Sequence, residues 1–170
     1  MTRKQHDVVS LSTISKTPSS KLYGGPLTAH AGFWLRFVSN HVSGAFRQKL
    51  AEKGVAVAEW AIMRSLEEQG AIAPSHLAVT LGITRGGITK IADKLIARSL
   101  ISRIPDPIDG RAHTLSLTAA GHRLVPILAK LADQNDREWF GHLPPETITT
   151  LTKLLRDIVD HHQLHAVPIE

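Results

Sequence analysis

The sequence predicts a mainly α-helical fold carrying one small β-hairpin, and three observations predict it. Leu77-Ala78, Leu81-Gly82-Ile83 and Ile88 with Ile91 form two short helical patterns broken by a single glycine. Residues 100–104 and 112–117 then read as strands, the second alternating apolar and polar positions. Apolar stripes at helical spacing, much longer than these, flank the segment on both sides.

Taken in order, residues 1–27 are polar and rich in Ser and Thr. They carry Arg3, Lys4, Lys16 and Lys21 against Asp7, and end at Pro18 and Gly24-Gly25-Pro26. A disordered basic tail is the favoured reading, and a basic arm following a nucleic-acid backbone is the sharper one. Over residues 28–53, Ala31, Trp34, Leu35, Val38, Val42, Ala45, Phe46 and Leu50 fit one long helix, ended by Gly54. A second helix over 58–69 offers Trp60, Ala61, Met63 and Leu66 for burial.

Pro74 opens the next helix, where its missing N–H would be unpaired anyway. Gly82 can adopt the left-handed conformation that closes it. Thr84 is placed to cap the helix after that through its hydroxyl. On a 3.6-residue period Ile88, Ile91, Ala92 and Leu95 share one face, and Gly86, Thr89, Lys90, Asp93 and Lys94 share the other. Two short helices at a steep angle, the second with a basic outer face, read as helix-turn-helix. The hairpin that follows, with the turn-forming run Pro105-Asp106-Pro107-Ile108-Asp109-Gly110-Arg111 at its tip, makes this a winged helix. Between 77 and 118, Arg85, Lys90, Lys94, Arg98, Arg103 and Arg111 oppose only Asp93, Asp106 and Asp109, an excess that suits a phosphate backbone.

Thr118 caps a third long helix reaching about Phe140, with Leu124, Leu128, Leu131 and Trp139 on overlapping faces and Pro126 expected to bend it. Pro144-Pro145-Glu146 opens the last helix, striped by Ile148, Leu151, Leu155, Ile158 and Val159. These terminal helices carry more apolar surface than the small winged part can cover, so pairing with a second copy is the expected way to bury it. The predicted organisation is therefore a single unit over 28–165. Residues 55–118 form its winged DNA-binding part, and 28–53 and 119–165 are dimerisation helices.

At 170 residues and 42% hydrophobic content the chain can bury a core, and its net charge of +5 with pI near 9.8 favours an acidic partner. Zero cysteines exclude disulfides and thiol switches. No apolar run approaches the ~18 residues of a membrane span, and the first twenty residues lack a secretory pattern. The expected location is the cytoplasm.

The run Ile83-Thr84-Arg85-Gly86-Gly87-Ile88-Thr89-Lys90, then Lys94-Leu95-Ile96-Ala97-Arg98-Ser99-Leu100-Ile101-Ser102-Arg103, resembles the MarR family of winged-helix regulators. So do Asp106-Pro107-Ile108-Asp109-Gly110-Arg111 and Leu117-Thr118-Ala119-Ala120-Gly121. The resemblance implies a dimeric DNA-binding repressor or activator, often tuned by a small aromatic ligand. It departs from the family at Gly86-Gly87, where bulkier residues are usual. The DNA-binding candidates are Arg85, Gly86, Thr89, Lys90, Lys94, Arg103, Asp109 and Arg111. Thr89 and Lys90 are expected at base edges, and Arg85 and Lys94 at phosphates. Arg111 is expected in the minor groove, restrained by Asp109.

Trp34, Phe37, His41 and Trp60 stand roughly where effectors bind in that family. They read equally as a ligand pocket, suited to an aromatic acid or phenol, or as plain core aromatics. His161, His162 and His165 near Asp157 could ligate a metal, but a solvated helix end whose imidazoles suit the C-terminal dipole is the favoured account. A metal-responsive regulator or metal-dependent enzyme is thus the alternative function. No phosphate-cradling glycine loop or nucleophile elbow appears, so no catalytic residue, cofactor or metal site is assigned. The expected partners are double-stranded DNA, a second copy of the chain and a small aromatic effector, without a membrane.

Overall fold

The computed structural model describes residues 25–105 and 113–164. It divides between Asn40 and His41 into two compact units. The elements are α1 (Ala31–Ala51), α2 (Val57–Gln69), α3 (Pro74–Leu81), α4 (Arg85–Ala97), β1 (Ile101–Pro105), β2 (His113–Leu117), α5 (Ala119–Phe140) and α6 (Pro145–His161). The sequence places each of them to within a few residues. The expected tail falls almost wholly, and residues 106–111 of the hairpin tip and His165 entirely, outside the described residues.

In the first unit a short 3-10 turn, Leu27–Ala29, precedes α1, and the Trp34 indole N–H donates to the Thr28 carbonyl at 2.8 Å. Phe33, Trp34 and Phe37 form one ring cluster, with centroids 5.1 to 6.3 Å apart.

The second unit holds the core. Leu50, Ile62, Met63, Leu77, Ile88, Leu95, Leu115 and Leu128 are fully buried, which joins α1, α2, α3, α4, β2 and α5 in one cluster. Burying each such side chain contributes about 1.5–3 kcal/mol. The hairpin is antiparallel, with Ile101 opposite Leu117, Arg103 opposite Leu115 and Pro105 opposite His113. Its inner edge continues in a single bridge that the sequence did not reveal. Ile72 and Leu115 exchange both backbone hydrogen bonds, at 3.0 and 2.8 Å, and so tie the loop before α3 to the wing.

Local chemistry explains the joints. Gly82 ends α3 at φ 63°, the left-handed region glycine enters without steric cost. Thr84 caps α4 by accepting from the Gly87 N–H at 3.1 Å. Thr118 does more: its hydroxyl accepts from the Gly121 N–H at 3.2 Å and donates to the Ser99 carbonyl at 2.7 Å. That second bond holds the turn at which Ser99 takes a positive φ of 55°. Helix α5 runs unbroken through Pro126, although proline has no N–H to donate to the preceding turn.

Polar ties that the sequence does not suggest also cross the second unit. Glu59, a buried residue of α2, accepts from the Ala56 N–H at 3.0 Å and from the Arg98 guanidinium at 3.1 Å. It thereby ties the C-terminal end of α4 to the start of α2. Lys49 on α1 reaches the buried Asn135 of α5 at 3.1 Å and Glu138 at 2.6 Å, while the Asn135 amide donates to the Val42 carbonyl. The Lys49 ammonium and then the Gln134 amide hold the Glu138 carboxyl below the usual carboxylate range. Its contribution to stability is therefore present above the unfolded pKa and lost as pH falls through the lowered folded value.

Candidate nucleic-acid interface

Helix α4 is built as an outward-facing rod. Ile88, Ala92 and Leu95 are buried on one side, while Arg85, Gly86, Thr89, Lys90, Asp93 and Lys94 are exposed. Gly86, Thr89 and Lys90 stand at i, i+3 and i+4 and so share one surface. The Thr89 hydroxyl donates to the Arg85 carbonyl at 3.0 Å. Its proton is thus used inside the helix, and its lone pairs and methyl are what it presents outward.

The basic excess read from the sequence resolves into two kinds of cation. Arg98 pairs with the buried Glu59 while its own side chain stays partly exposed. Arg103 on β1 pairs with Asp93 on α4 at 2.5 Å, so one predicted contact residue is partly spent on joining wing to helix. Both partners are about half exposed, and such a pair contributes at most about 1 kcal/mol, which a phosphate could displace. Among the described residues, Arg85, Lys90 and Lys94 enter no ion pair. Asp109 and Arg111 lie outside the described residues.

The four aromatic candidates are divided between the two units. Trp34 and Phe37 share the ring cluster of the first unit. In the second unit His41 lies against Trp139, with centroids 6.3 Å apart, and Trp60 is half-buried against Phe46 at 6.4 Å. An open groove of about 820 Å³ is lined by Arg47, Ala51 and residues 54–58, and by none of the four. His161 and His162 stack edge to face at 4.9 Å. No group of three His, Cys, Asp or Glu side chains among the described residues is placed to hold a metal ion. No described helix is long and apolar enough to cross a membrane.

A capped, basic second helix, a short first helix closed by a left-handed glycine, and a hairpin packed beside them define a winged helix-turn-helix regulator that binds DNA. Comparison with known proteins agrees: residues 56–113 match the model of the MarR family. The multiple antibiotic resistance protein MarR of Escherichia coli is 22% identical over 129 residues, 75% of this chain and 90% of that protein. The HTH-type transcriptional repressor NicR of Pseudomonas putida is 24% identical over 134 residues, 79% of this chain and 85% of that protein. Among solved structures, BpsR of Bordetella bronchiseptica, whose DNA binding is regulated by 6-hydroxynicotinic acid, superposes with a TM-score of 0.70 at 26% identity. The match covers 80% of this chain and 99% of BpsR.

Proposed function

We propose that the protein represses transcription as a homodimer on a palindromic operator and leaves it when a small aromatic ligand binds. The observation that carries this reading is the outward face of α4, where Arg85, Lys90 and Lys94 make no ion pair among the described residues. Repression is the activity named for NicR, and 6-hydroxynicotinic acid, the regulator of BpsR, is a planar aromatic acid. In this assignment residues 28–165 act as one unit. Residues 55–118 read DNA, and 28–53 and 119–165 pair with the second copy. The role is regulatory rather than enzymatic and is exercised in the cytoplasm.

Thr89 and Lys90 reach base edges, with Thr89 as an acceptor for the amino group of adenine or cytosine or as a methyl contact to thymine. Arg85, Lys94 and Arg103 take phosphates, and Arg111 enters the minor groove with Asp109 steadying it. Lys94→Ala should weaken binding to every sequence alike and reduce the salt slope by about one. Lys90→Ala should instead relax the preference, by about 1–3 kcal/mol at the base it reads. Titrations of selected and scrambled duplexes at several salt concentrations test both. A changed sequence preference in Lys94→Ala would mean that the helix is rotated in the groove.

Trp34, Phe37, His41 and Trp60 remain the candidates for contacting the effector in this account, each as stacking surface or, for His41, as an imidazole. An aromatic acid should quench tryptophan fluorescence and weaken operator binding about 5–150-fold, the usual range of coupling between two sites. Release unchanged in both Trp34→Ala and Trp60→Ala would move the site elsewhere.

A further inference from the structure

The recognition helix begins with two adjacent glycines, and the structure separates their reasons. A Cβ on Gly87 would sit 2.8 Å from Ile83 Cγ2 and 3.1 Å from Thr84 Oγ1, inside the cap that starts the helix. A side chain on Gly87 would therefore force Ile83 in the cap to shift. A Cβ on Gly86 would meet nothing within 4 Å, and Gly86 is not among the positive-φ glycines of the chain. Neither packing nor backbone conformation asks for glycine there. After proline it is also the poorest residue for a helix interior, and alanine the best. The position thus gives up helix stability for something the isolated chain does not display.

What surrounds Gly86 indicates what that is. It lies on the exposed face with Thr89 and Lys90, next to Arg85, and no acidic residue stands between them along the helix. The geometry points to Gly86 as a specificity-determining residue that acts by having no side chain. It lets the first turn of α4 seat close against the base edges of the major groove, so that the short Thr89 side chain and Lys90 reach them. Glycine thins a surface where another chain must come near, and a threonine reads bases only at close range because its hydroxyl is one carbon from the backbone. The inference rests on the proposed reading of α4 as the base-contacting helix, and deepens it.

The test uses the full-length protein and the duplex that the wild type enriches from a random-sequence pool, with a scrambled duplex of equal length. Gly86→Ala should raise the melting midpoint by about 2–4 °C, the shift for a gain of helix propensity in a chain of this size. It should also lower affinity for the enriched duplex at least ~10-fold, about 1.4 kcal/mol. Affinity for the scrambled duplex, held by phosphate contacts, should stay nearly unchanged. Gly86→Leu should lose more of the preference than Gly86→Ala, and Gly87→Ala should lower the midpoint instead. A preference between the two duplexes that is unaltered in both Gly86 variants would overturn the assignment while leaving α4 as the reading helix. Failure of the wild type to enrich any sequence would overturn the reading of α4 itself, and this inference with it.

Discussion

Gly121→Ala should destabilise the protein by about 3 kcal/mol and lower its melting midpoint by roughly 6–12 °C. A Cβ at this buried position would stand 2.2 Å from the Leu100 carbonyl oxygen and 2.8 Å from Leu117 Cδ2. Real Cβ atoms do not come so near, and the carbonyl cannot retreat without loss. It accepts from the Thr118 N–H at 3.1 Å, and the Leu100 N–H is itself bound to the Leu95 carbonyl. The strain falls where α4, β1 and α5 meet, so it would disturb the recognition helix and the wing together. Calorimetry on the variant checks this. An unchanged midpoint would mean that the close approach of α5 to β1 is not what the glycine serves.

The other large effect concerns α6. Leu151, Leu154, Leu155, Ile158 and Val159 are between 37% and 56% exposed, a continuous apolar stripe on one helix. A charge placed in a paired version of that stripe would be buried without a partner, which is strongly unfavourable. The double variant Leu154→Glu, Ile158→Glu should sediment as a monomer while keeping its helical circular dichroism, because both side chains are exposed in the single chain. Operator binding should fall by two orders of magnitude or more, roughly 3 kcal/mol, since two half-sites can no longer be engaged together. A double variant that remains dimeric would assign the pairing surface to other helices.

Much of the fold was legible because its signals are local. Thr84 and Gly82 act within four residues of their own positions, as does the cap that Thr118 gives Gly121, so caps and helix ends could be read from spacing alone. The motif from Leu117 to Gly121 could be recognised as well, but the reason for its glycine could not. That reason is the Leu100 carbonyl, twenty-one residues earlier in the chain. Longer separations in sequence hid Glu59 behind Arg98, Asn135 behind Lys49 and the bridge of Ile72 to Leu115. In the candidate interface, counting charges does not show which cations are already paired. Sequence does not reveal that Arg98 pairs with Glu59 or that Arg103 is held by Asp93. Helical periodicity put Trp34, His41 and Trp60 on plausible faces, but it carries no information about which ring each one meets.

The central claim is that a dimer of this chain reads one particular DNA sequence. The most direct measurement is a mobility-shift titration of the wild-type protein on DNA flanking its own gene, with scrambled competitor and a parallel series containing chelator. The predicted result is one dimer on a palindrome whose half-site centres lie about one turn, ~34 Å, apart. Binding should exceed that of the competitor by ~10³-fold or more and be indifferent to chelator. Equal affinity for the competitor, or binding abolished by chelator, would contradict it.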